Sequence, residues 1–388
     1  MRSRFRLATV LSFCLLAPGA HAQTSAPKTK PRYIVISTRQ LSTLKTELAQ
    51  TVAKGYQVIA AAAQSSIPVT RWQNVLLLLE RLPEEATSPE YWLVDDQETS
   101  LAARLNGAAS AGFRLVPNSA FDRSYYDFWG ALVSSAIPRR GSDYSSHEMI
   151  RSYALMERRK NKVPPCRYFL TKLSKPQKHQ LYAKGLEEGY RIAGEVSSTA
   201  IMENCTEPTP GESLYIQENA PAEVSDHFRV FLLRNRKESS KQLEDELSRG
   251  FRVLNAGGAI LTLERETAPA SPTEHKFHFA KDDAELDKAL HSDRGFRFGS
   301  VSWGKPDRLI GSRQMFVVME KSAEDVSRYE YLTLSDKTGT ELQDKINEAA
   351  KQGYEPRGLT RCAEKLCAIM ERPAAPDRDR PQISGKDH

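Results

Sequence analysis

The sequence predicts an α+β protein made of tandem strand-helix-strand-strand repeats, and three observations carry that expectation. A glycine-aromatic dipeptide recurs six times, at Gly55-Tyr56, Gly112-Phe113, Gly189-Tyr190, Gly250-Phe251, Gly295-Phe296 and Gly353-Tyr354. A helical apolar pattern precedes these pairs. An apolar run then closes each copy, as LLLLER, ALMER, AIMEN, ILTLER, FVVMEK and AIMER. Self-similarity at a regular interval outweighs any single local propensity.

Each copy opens on an aromatic-rich strand: YIVIS from Tyr33, YWLVD from Tyr91, RYFLT from Arg167, FRVFLL from Phe228, KFHFA from Lys276 and YEYLTL from Tyr329. The helix follows. Leu41, Leu44, Leu48 and Val52 recur at three- and four-residue spacing and mark one helical face. Leu101 and Leu105, Leu243 and Leu247, and Leu342 and Ile346 repeat the pattern. The glycine then falls where a helix ends in a left-handed residue. Alternating apolar residues such as Tyr56 and Val58, or Phe113 and Leu115, predict the second strand.

The third strand is apolar at successive positions, as from Leu76 to Leu79, which requires burial on both faces. In copy four the link Leu254 to Ala259 is short enough to make strands two and three hairpin neighbours. The expected strand order is therefore 1-3-2, with the helix on one face. A sheet of this size leaves its other face bare and buries too little alone, so the three-stranded sheets are expected to pack in pairs or to extend one another. Copies five and six are irregular: Lys288 stands where other copies place Leu48, Leu105 or Ile346, and Pro356-Arg357 interrupts the sixth second strand.

The expected boundaries are a signal peptide at 1–22, a linker at 23–31, repeat 1 at 32–82 and repeat 2 at 90–159 with a long insertion at 117–150. Repeat 3 spans 166–205, a linker 206–226, repeat 4 227–266, repeat 5 275–321 and repeat 6 328–372, followed by a disordered tail at 373–388. The Glu that closes the third strand reads as a boundary marker where the strand emerges into water, because a lone buried carboxylate costs several kcal/mol.

Arg2, Arg4 and Arg6, the apolar stretch from Leu7 to Leu16 and the small residues Ala20 and Ala22 form an export signal, with cleavage expected after Ala22. The apolar stretch falls short of the about 20 residues a membrane helix needs. The expected product is therefore periplasmic or secreted, with no membrane span. Cleavage lowers the net charge from +6 to +3. That charge is too mild to make the whole chain a polyanion binder. Arg158 to Arg191 is more lopsided, with ten Lys/Arg against Glu187 and Glu188, and reads as a solvated face or an anion-binding segment. With no reading motif, sequence-specific nucleic-acid binding is not expected.

Four cysteines remain after cleavage, and export permits disulfides. Cys362 and Cys367 flank Ala-Glu-Lys-Leu in the last hairpin, where a four-residue loop would set them opposite one another. Cys166 precedes the first strand of copy three and Cys205 follows its last, so the two meet if strands one and three are antiparallel neighbours. Two disulfides are expected rather than a metal site, since Cys-x4-Cys without paired histidines is not a standard zinc spacing.

Tyr329 and Tyr331, Leu342 and Ile346, Gly353-Tyr354 and Ala368 to Arg372 give the unit a pattern that resembles the bacterial domain of unknown function family 4177. The resemblance implies a fold and no activity. AKGYQVI from Ala53 is similar to sporulation-related repeats, which bind peptidoglycan. Those repeats add a second helix and a fourth strand, and here Pro83 to Pro89 reads as a linker instead.

No Gly-x-Ser-x-Gly elbow, His-Glu-x-x-His helix or phosphate loop is present. No catalytic, cofactor or metal residues are assigned, and a non-enzymatic protein is expected. His275 and His278 lie three apart in a strand, point to opposite faces and are expected at the surface. The insertion in repeat 2 carries Phe121, Tyr125, Tyr126, Phe128 and Trp129, a cluster suited to sugar stacking or to anchoring a protein. Packing against the sheet is its other reading. The expected task is binding or scaffolding in the bacterial envelope or outside the cell, with an unknown protein or glycan partner. Peptidoglycan or glycan binding is the alternative, and a hydrolase using the repeat 2 insertion is a third.

Overall fold

A computed structural model of the protein describes residues 30–374, except positions 39, 66–72, 97–99, 127–147, 160–164, 173–175, 197–198, 207–226, 233–235, 258–259, 266–273, 293–294, 304–314, 322–327 and 364. The signal peptide, the tail from 375 onward, Phe128 and Trp129 lie outside the described residues, and Pro373, expected in the tail, is the last residue of a strand. From Arg32 onward the chain forms one compact unit.

Six modules follow one another. Module 1 is β1 (Tyr33–Thr38), α1 (Leu41–Ala53), β2 (Tyr56–Ser65) and β3 (Gln73–Arg81). Module 2 is β4 (Glu90–Asp95), α2 (Leu101–Ser110), a second strand split into β5 (Arg114–Leu115) and β6 (Phe121–Tyr126), and β7 (Glu148–Arg158). Module 3 is β8 (Arg167–Lys172), α3 (Pro176–Glu187), β9 (Arg191–Val196) and β10 (Thr199–Asn204). Module 4 is β11 (Phe228–Leu232), α4 (Arg236–Ser248), β12 (Phe251–Gly257) and β13 (Ile260–Arg265). Module 5 is β14 (Glu274–Ala280), α5 (Asp283–Ser292), β15 (Arg297–Trp303) and β16 (Met315–Lys321). Module 6 is β17 (Tyr329–Asp336), α6 (Gly339–Lys351), β18 (Glu355–Cys362) and β19 (Lys365–Pro373).

Every sheet is antiparallel with the order 1-3-2, as expected, and the third strand is central. Leu76 to Leu79, Ala200 to Met202, Met315 to Val318 and Ala368 to Met370 are buried on both faces. All six glycines of the Gly-aromatic pairs have φ between 82° and 90°, the left-handed helix end that glycine adopts without strain. Side-chain caps start three helices: Ser100 accepts from the Ala103 N–H, Asp282 from the Glu285 N–H and Thr338 from the Glu341 N–H.

The modules do not stop at pairs. Each helix is covered on one side by its own sheet and on the other by the bare face of the next sheet. Leu44 and Leu48 of module 1 share a core with Phe121, Tyr153 and Leu155 of module 2. Leu101 and Leu105 of module 2 meet Tyr168 and Ile201 of module 3. Tyr182 and Leu186 of module 3 meet Phe228 of module 4. Leu243 and Leu261 of module 4 meet Phe316 and Val318 of module 5. Leu286 and Leu290 of module 5 meet Tyr331, Cys367 and Ile369 of module 6. Module 6 then covers module 1, as Leu342 and Ile346 bury Tyr33, Val35, Leu76 and Leu78. The chain closes into a six-module ring. A ring leaves no module with a bare sheet, which is why modules too small to fold alone can be stable together.

The second strands β2, β6, β9, β12, β15 and β18 each neighbour the next and encircle the axis. A register shift recurs in five of the six, after Val58, Ile192, Val253, Phe298 and Pro356. In module 2 the same place is the break between β5 and β6. These bulges bend each inner edge strand. A Cβ at Gly194 would come into contact with Ala120 and Leu115 of module 2, and one at Gly358 with the Phe298 ring of module 5, so both glycines lie against the neighbouring module.

The irregular copies have physical explanations. In module 5 the buried pair is Leu286 and Leu290, with Leu290 five residues before Gly295, whereas Ile346 lies seven before Gly353. A shorter helix exit thus puts Lys288 off the core face. Pro356 fits in β18 because that strand is an edge.

Candidate functional site

The most elaborate polar chemistry lies between modules. The terminal Glu of the third strand pairs directly across the sheet with a first-strand residue: Tyr33 with Glu80, Tyr91 with Glu157, Tyr168 with Glu203, Phe228 with Glu264, His275 with Glu320, and Tyr331 with Glu371. In three junctions the tyrosine hydroxyl ties two modules together. Tyr91 accepts from the Val58 N–H at 2.8 Å and donates to Glu157 at 3.3 Å. Tyr168 accepts from Leu115 at 2.8 Å and donates to Glu203 at 3.2 Å. Tyr331 accepts from Phe298 at 2.8 Å and donates to Glu371 at 3.3 Å. Val58 and Phe298 each stand just before their strand's bulge, and Leu115 just before the break between β5 and β6.

Arginines complete two of these latches. Arg114 of module 2 reaches Glu203 of module 3 at 2.6 Å, and Arg297 of module 5 reaches Glu371 of module 6 at 3.0 Å. Arg357, the bulged residue of β18, bonds Glu371 at 2.8 Å. The carboxylates of Glu203 and Glu371 are buried, at 8% and 3% exposure. The boundary-marker expectation is therefore corrected at these positions. The Glu does not emerge into water; guanidinium and phenol partners from two modules offset the cost of burying it. Burial pushes the Tyr91, Tyr168 and Tyr331 hydroxyls well above the usual phenol range, the nearby carboxylate adds to this, and the backbone N–H partly opposes it.

The residue after the Glu has a separate task. Arg372 donates to the Gln352 carbonyl, Arg158 to the Ala111 carbonyl, and Asn204 to the Glu188 carbonyl. Each acceptor is the last residue before the helix-ending glycine, so the side chain caps an orphan carbonyl. Arg372 and Arg158 also lie over the rings of Tyr354 and Phe113, at 4.4 and 4.8 Å. In AIMER, alternation thus sends Glu371 to the neighbouring module and Arg372 to its own helix.

The ring-closing junction uses other groups. Pro356 has no N–H to offer Tyr33, which stands opposite Glu80 in the sheet. Here the arginine comes from module 1: Arg32 pairs with Glu80 at 2.9 Å and with Glu355 of module 6 at 3.8 Å. Asn347 bonds both the N–H and the carbonyl of Tyr33, and Gln343 accepts from the Val35 N–H. Asn106 holds Tyr168 of module 3 in the same way as Asn347 holds Tyr33.

The residues singled out in the repeat 2 insertion are not all in one environment. Phe121 is buried, stacks on Tyr153 at 5.3 Å and belongs to the core shared with module 1. Tyr125 and Tyr126 lie on β6, in register with Met149 and Glu148 of β7. Within 117–150, β6 takes 121–126 and the start of β7 takes 148–150, so the connection between them is 127–147. Trp92, opposite Met156 toward the other end of β7, is 39% exposed and meets Phe113 edge-on at 5.6 Å. His275 and His278, expected at the surface, are both half-buried.

Both disulfides form. Cys166–Cys205 joins the start of β8 to the end of β10. Cys362–Cys367 spans the last hairpin, but diagonally rather than directly across: Cys362 faces Lys365 and Cys367 faces Thr360 in register, because the turn is shorter than a four-residue loop. Among the described residues, Cys166, Glu203 and Cys205 form a cluster of metal-capable atoms, but the two sulfurs are bonded to each other. No helix among the described residues is long and apolar enough to cross a membrane. No protein-family model matches the chain, and no curated protein is similar to it.

Proposed function

We propose that the protein is an exported, non-enzymatic scaffold, a rigid ring that presents the repeat 2 insertion and the module connections to a partner in the bacterial envelope or outside the cell. One observation carries this reading. The bonds of the buried carboxylates Glu203 and Glu371 are taken up by an arginine of the preceding module and by tyrosine and arginine partners of their own. Such a frame favours presentation of surface loops. The strand-helix-hairpin module is in keeping with the resemblance to family 4177, and both disulfides suit an oxidising compartment.

Glycan binding is the second reading, favoured by exposed Trp92 and by the aromatic run through Tyr125, Tyr126, Phe128 and Trp129. A photo-crosslinking residue at position 129 of the exported protein tests the first reading. A discrete protein adduct is expected, lost when 127–147 is replaced by a short turn while thermal stability is unchanged. Cosedimentation with purified peptidoglycan at low and high salt tests the second. Neither adduct nor cosedimentation would defeat both readings, and lost folding on replacing 127–147 would assign the insertion to packing.

A further inference from the structure

We infer that the outer edge of β4 docks an extended segment of a partner protein, apolar in alternation and basic at both flanks, as a further strand of the module 2 sheet. This surface goes beyond the scaffold reading, since β4 lies on the opposite side of β7 from β6, which leads into 127–147. The first strand of each module is an outer edge of its sheet, and an uncovered edge offers a row of free N–H and C=O groups. The ring covers that edge in the same way at two junctions. Asn347 of α6 bonds both backbone groups of Tyr33, and Gln343 accepts from the Val35 N–H. Asn106 of α2 holds both backbone groups of Tyr168.

Between modules 1 and 2 that cover is missing. Tyr91 faces Glu157 as Tyr33 faces Glu80, so Tyr91 and Leu93 turn their backbone groups outward as Tyr33 and Val35 do. Ala49 lies six residues before Gly55, as Asn106 lies six before Gly112 and Asn347 six before Gly353. Ala49 has nothing to bond the edge with, and Lys45, in the place of Gln343, has no acceptor for an N–H. Among the described residues, no group bonds the backbone N–H or carbonyl of Tyr91 or Leu93. The helices α6 and α2 lie close along β1 and β8, whereas α1 stands off from β4. Tyr33, Tyr168 and Tyr331 are accordingly buried, while Tyr91 is only half-buried and Lys45 and Ala49 are exposed. An open slot thus runs between α1 and β4, lined by half-buried Val52, Tyr91 and Leu93. The helix α4 also stands off from β14, but Glu244 takes the covering position there, and His275 and Lys276 have interactions of their own.

Strand addition takes its affinity from main-chain bonds and its selectivity from alternate side chains. Residues opposite Tyr91 and Leu93 would enter the slot beside Ala49, which suits apolar side chains of moderate size. On the other face, exposed Trp92 favours an aromatic or β-branched neighbour. Charge selects the flanks. Glu90 opens β4, and Asp95 and Asp96 close it. A second copy of the chain, paired antiparallel about Leu93, would set Glu90 against Asp96, and like charges directly opposite are destabilising. Lysine or arginine at both ends of a partner strand meets those same carboxylates favourably.

A dye-labelled peptide, Lys-Val-Thr-Val-Tyr-Val-Lys, titrated with the full chain and read by fluorescence anisotropy, tests this. Wild type should bind it. Ala49→Asn installs the cover used at the other junctions and should weaken binding about tenfold, as two net hydrogen bonds are lost, without lowering the melting temperature. Ala49→Ser, too short to reach the edge, should bind as wild type does. N-methylation of alternate peptide amides, or glutamate in place of both lysines, should also weaken binding. Site-resolved amide exchange gives a readout without the peptide: Tyr91 and Leu93 should exchange quickly in the free chain while Tyr33, Val35 and Tyr168 are protected. No binding by wild type, equal binding by Ala49→Asn or by the N-methylated peptide, or protected Tyr91 and Leu93 amides in the free monomer would overturn the inference. Equal binding of the glutamate peptide would overturn the basic flanks. Self-association abolished by Ala49→Asn would assign the edge to a second copy and overturn the partner.

Discussion

Replacing Tyr331 with phenylalanine deletes one oxygen from the junction between modules 5 and 6 and leaves the ring in place. That oxygen accepts from the buried Phe298 N–H at 2.8 Å and donates to Glu371 at 3.3 Å. The stranded amide costs about 1–3 kcal/mol, because nothing replaces the lost acceptor. The longer bond to Glu371 adds about 0.5–1 kcal/mol, a small amount because Arg297 and Arg357 still satisfy the carboxylate. The expected loss is therefore about 1.5–4 kcal/mol in urea unfolding, with unchanged dependence on denaturant. Tyr354→Phe is the internal control. Its hydroxyl reaches Glu330 at 3.3 Å near the surface, and its removal should change stability by less than about 0.5 kcal/mol. If Tyr331→Phe also cost less than about 0.5 kcal/mol, the latch would be a geometric coincidence rather than a source of cohesion.

Other outcomes follow from the same contacts. Changing Cys166 and Cys205 to serine opens a loop of separation 39 and should cost about 3–4 kcal/mol, against about 2 kcal/mol for the short Cys362–Cys367 loop, both read from thermal unfolding. Tyr91, Tyr168 and Tyr331 have raised folded-state pKa values, mainly through burial. Their contribution is complete below the unfolded phenol value near pH 10 and is lost as pH rises above it. Absorbance at 295 nm should show these phenolates forming only together with unfolding; ionisation of all tyrosines in the folded ring near pH 10 would contradict the burial. At the acid end, Asp283 is depressed first by Lys365 and then by Ser335. That contribution is present above the usual carboxylate value and disappears as pH falls through the folded one, so Lys365→Met should lessen the acid sensitivity of thermal unfolding.

The module was largely legible in the sequence because its signals are local. The Gly-aromatic pair marks a helix end that needs a positive φ, and an uninterrupted apolar run marks a strand covered twice. The 1-3-2 order was legible through Cys166 and Cys205, a covalent constraint visible as spacing. Ring closure was not. Nothing near Tyr33 shows that Asn347, more than three hundred residues later, will hold its backbone. The latch was partly legible, since a Tyr, His or Phe faces each terminal Glu once strands one and three are paired. The error was to treat the carboxylate as unpartnered. Arg114 and Arg297 follow the Gly-aromatic pair by one residue in their modules and supply partners to the next one. The bulges had no signal in residue type, because the positions that slip are Ile59, Ala193, Leu254, Gly299 and Arg357.

Ring closure is tested most directly by a covalent link between its first and last modules. A Cβ built on Gly339 at the start of α6 would lie 2.9 Å from the Ser37 Cβ on β1, so a small outward shift brings the pair to the about 3.5–4.5 Å of a disulfide. The double variant Ser37→Cys and Gly339→Cys, oxidised at high dilution, should yield a 37–339 linked peptide by mass spectrometry from the monomer fraction. A linear array of modules would keep these positions far apart and yield no such link, or only links between separate chains. That result would contradict the closed ring.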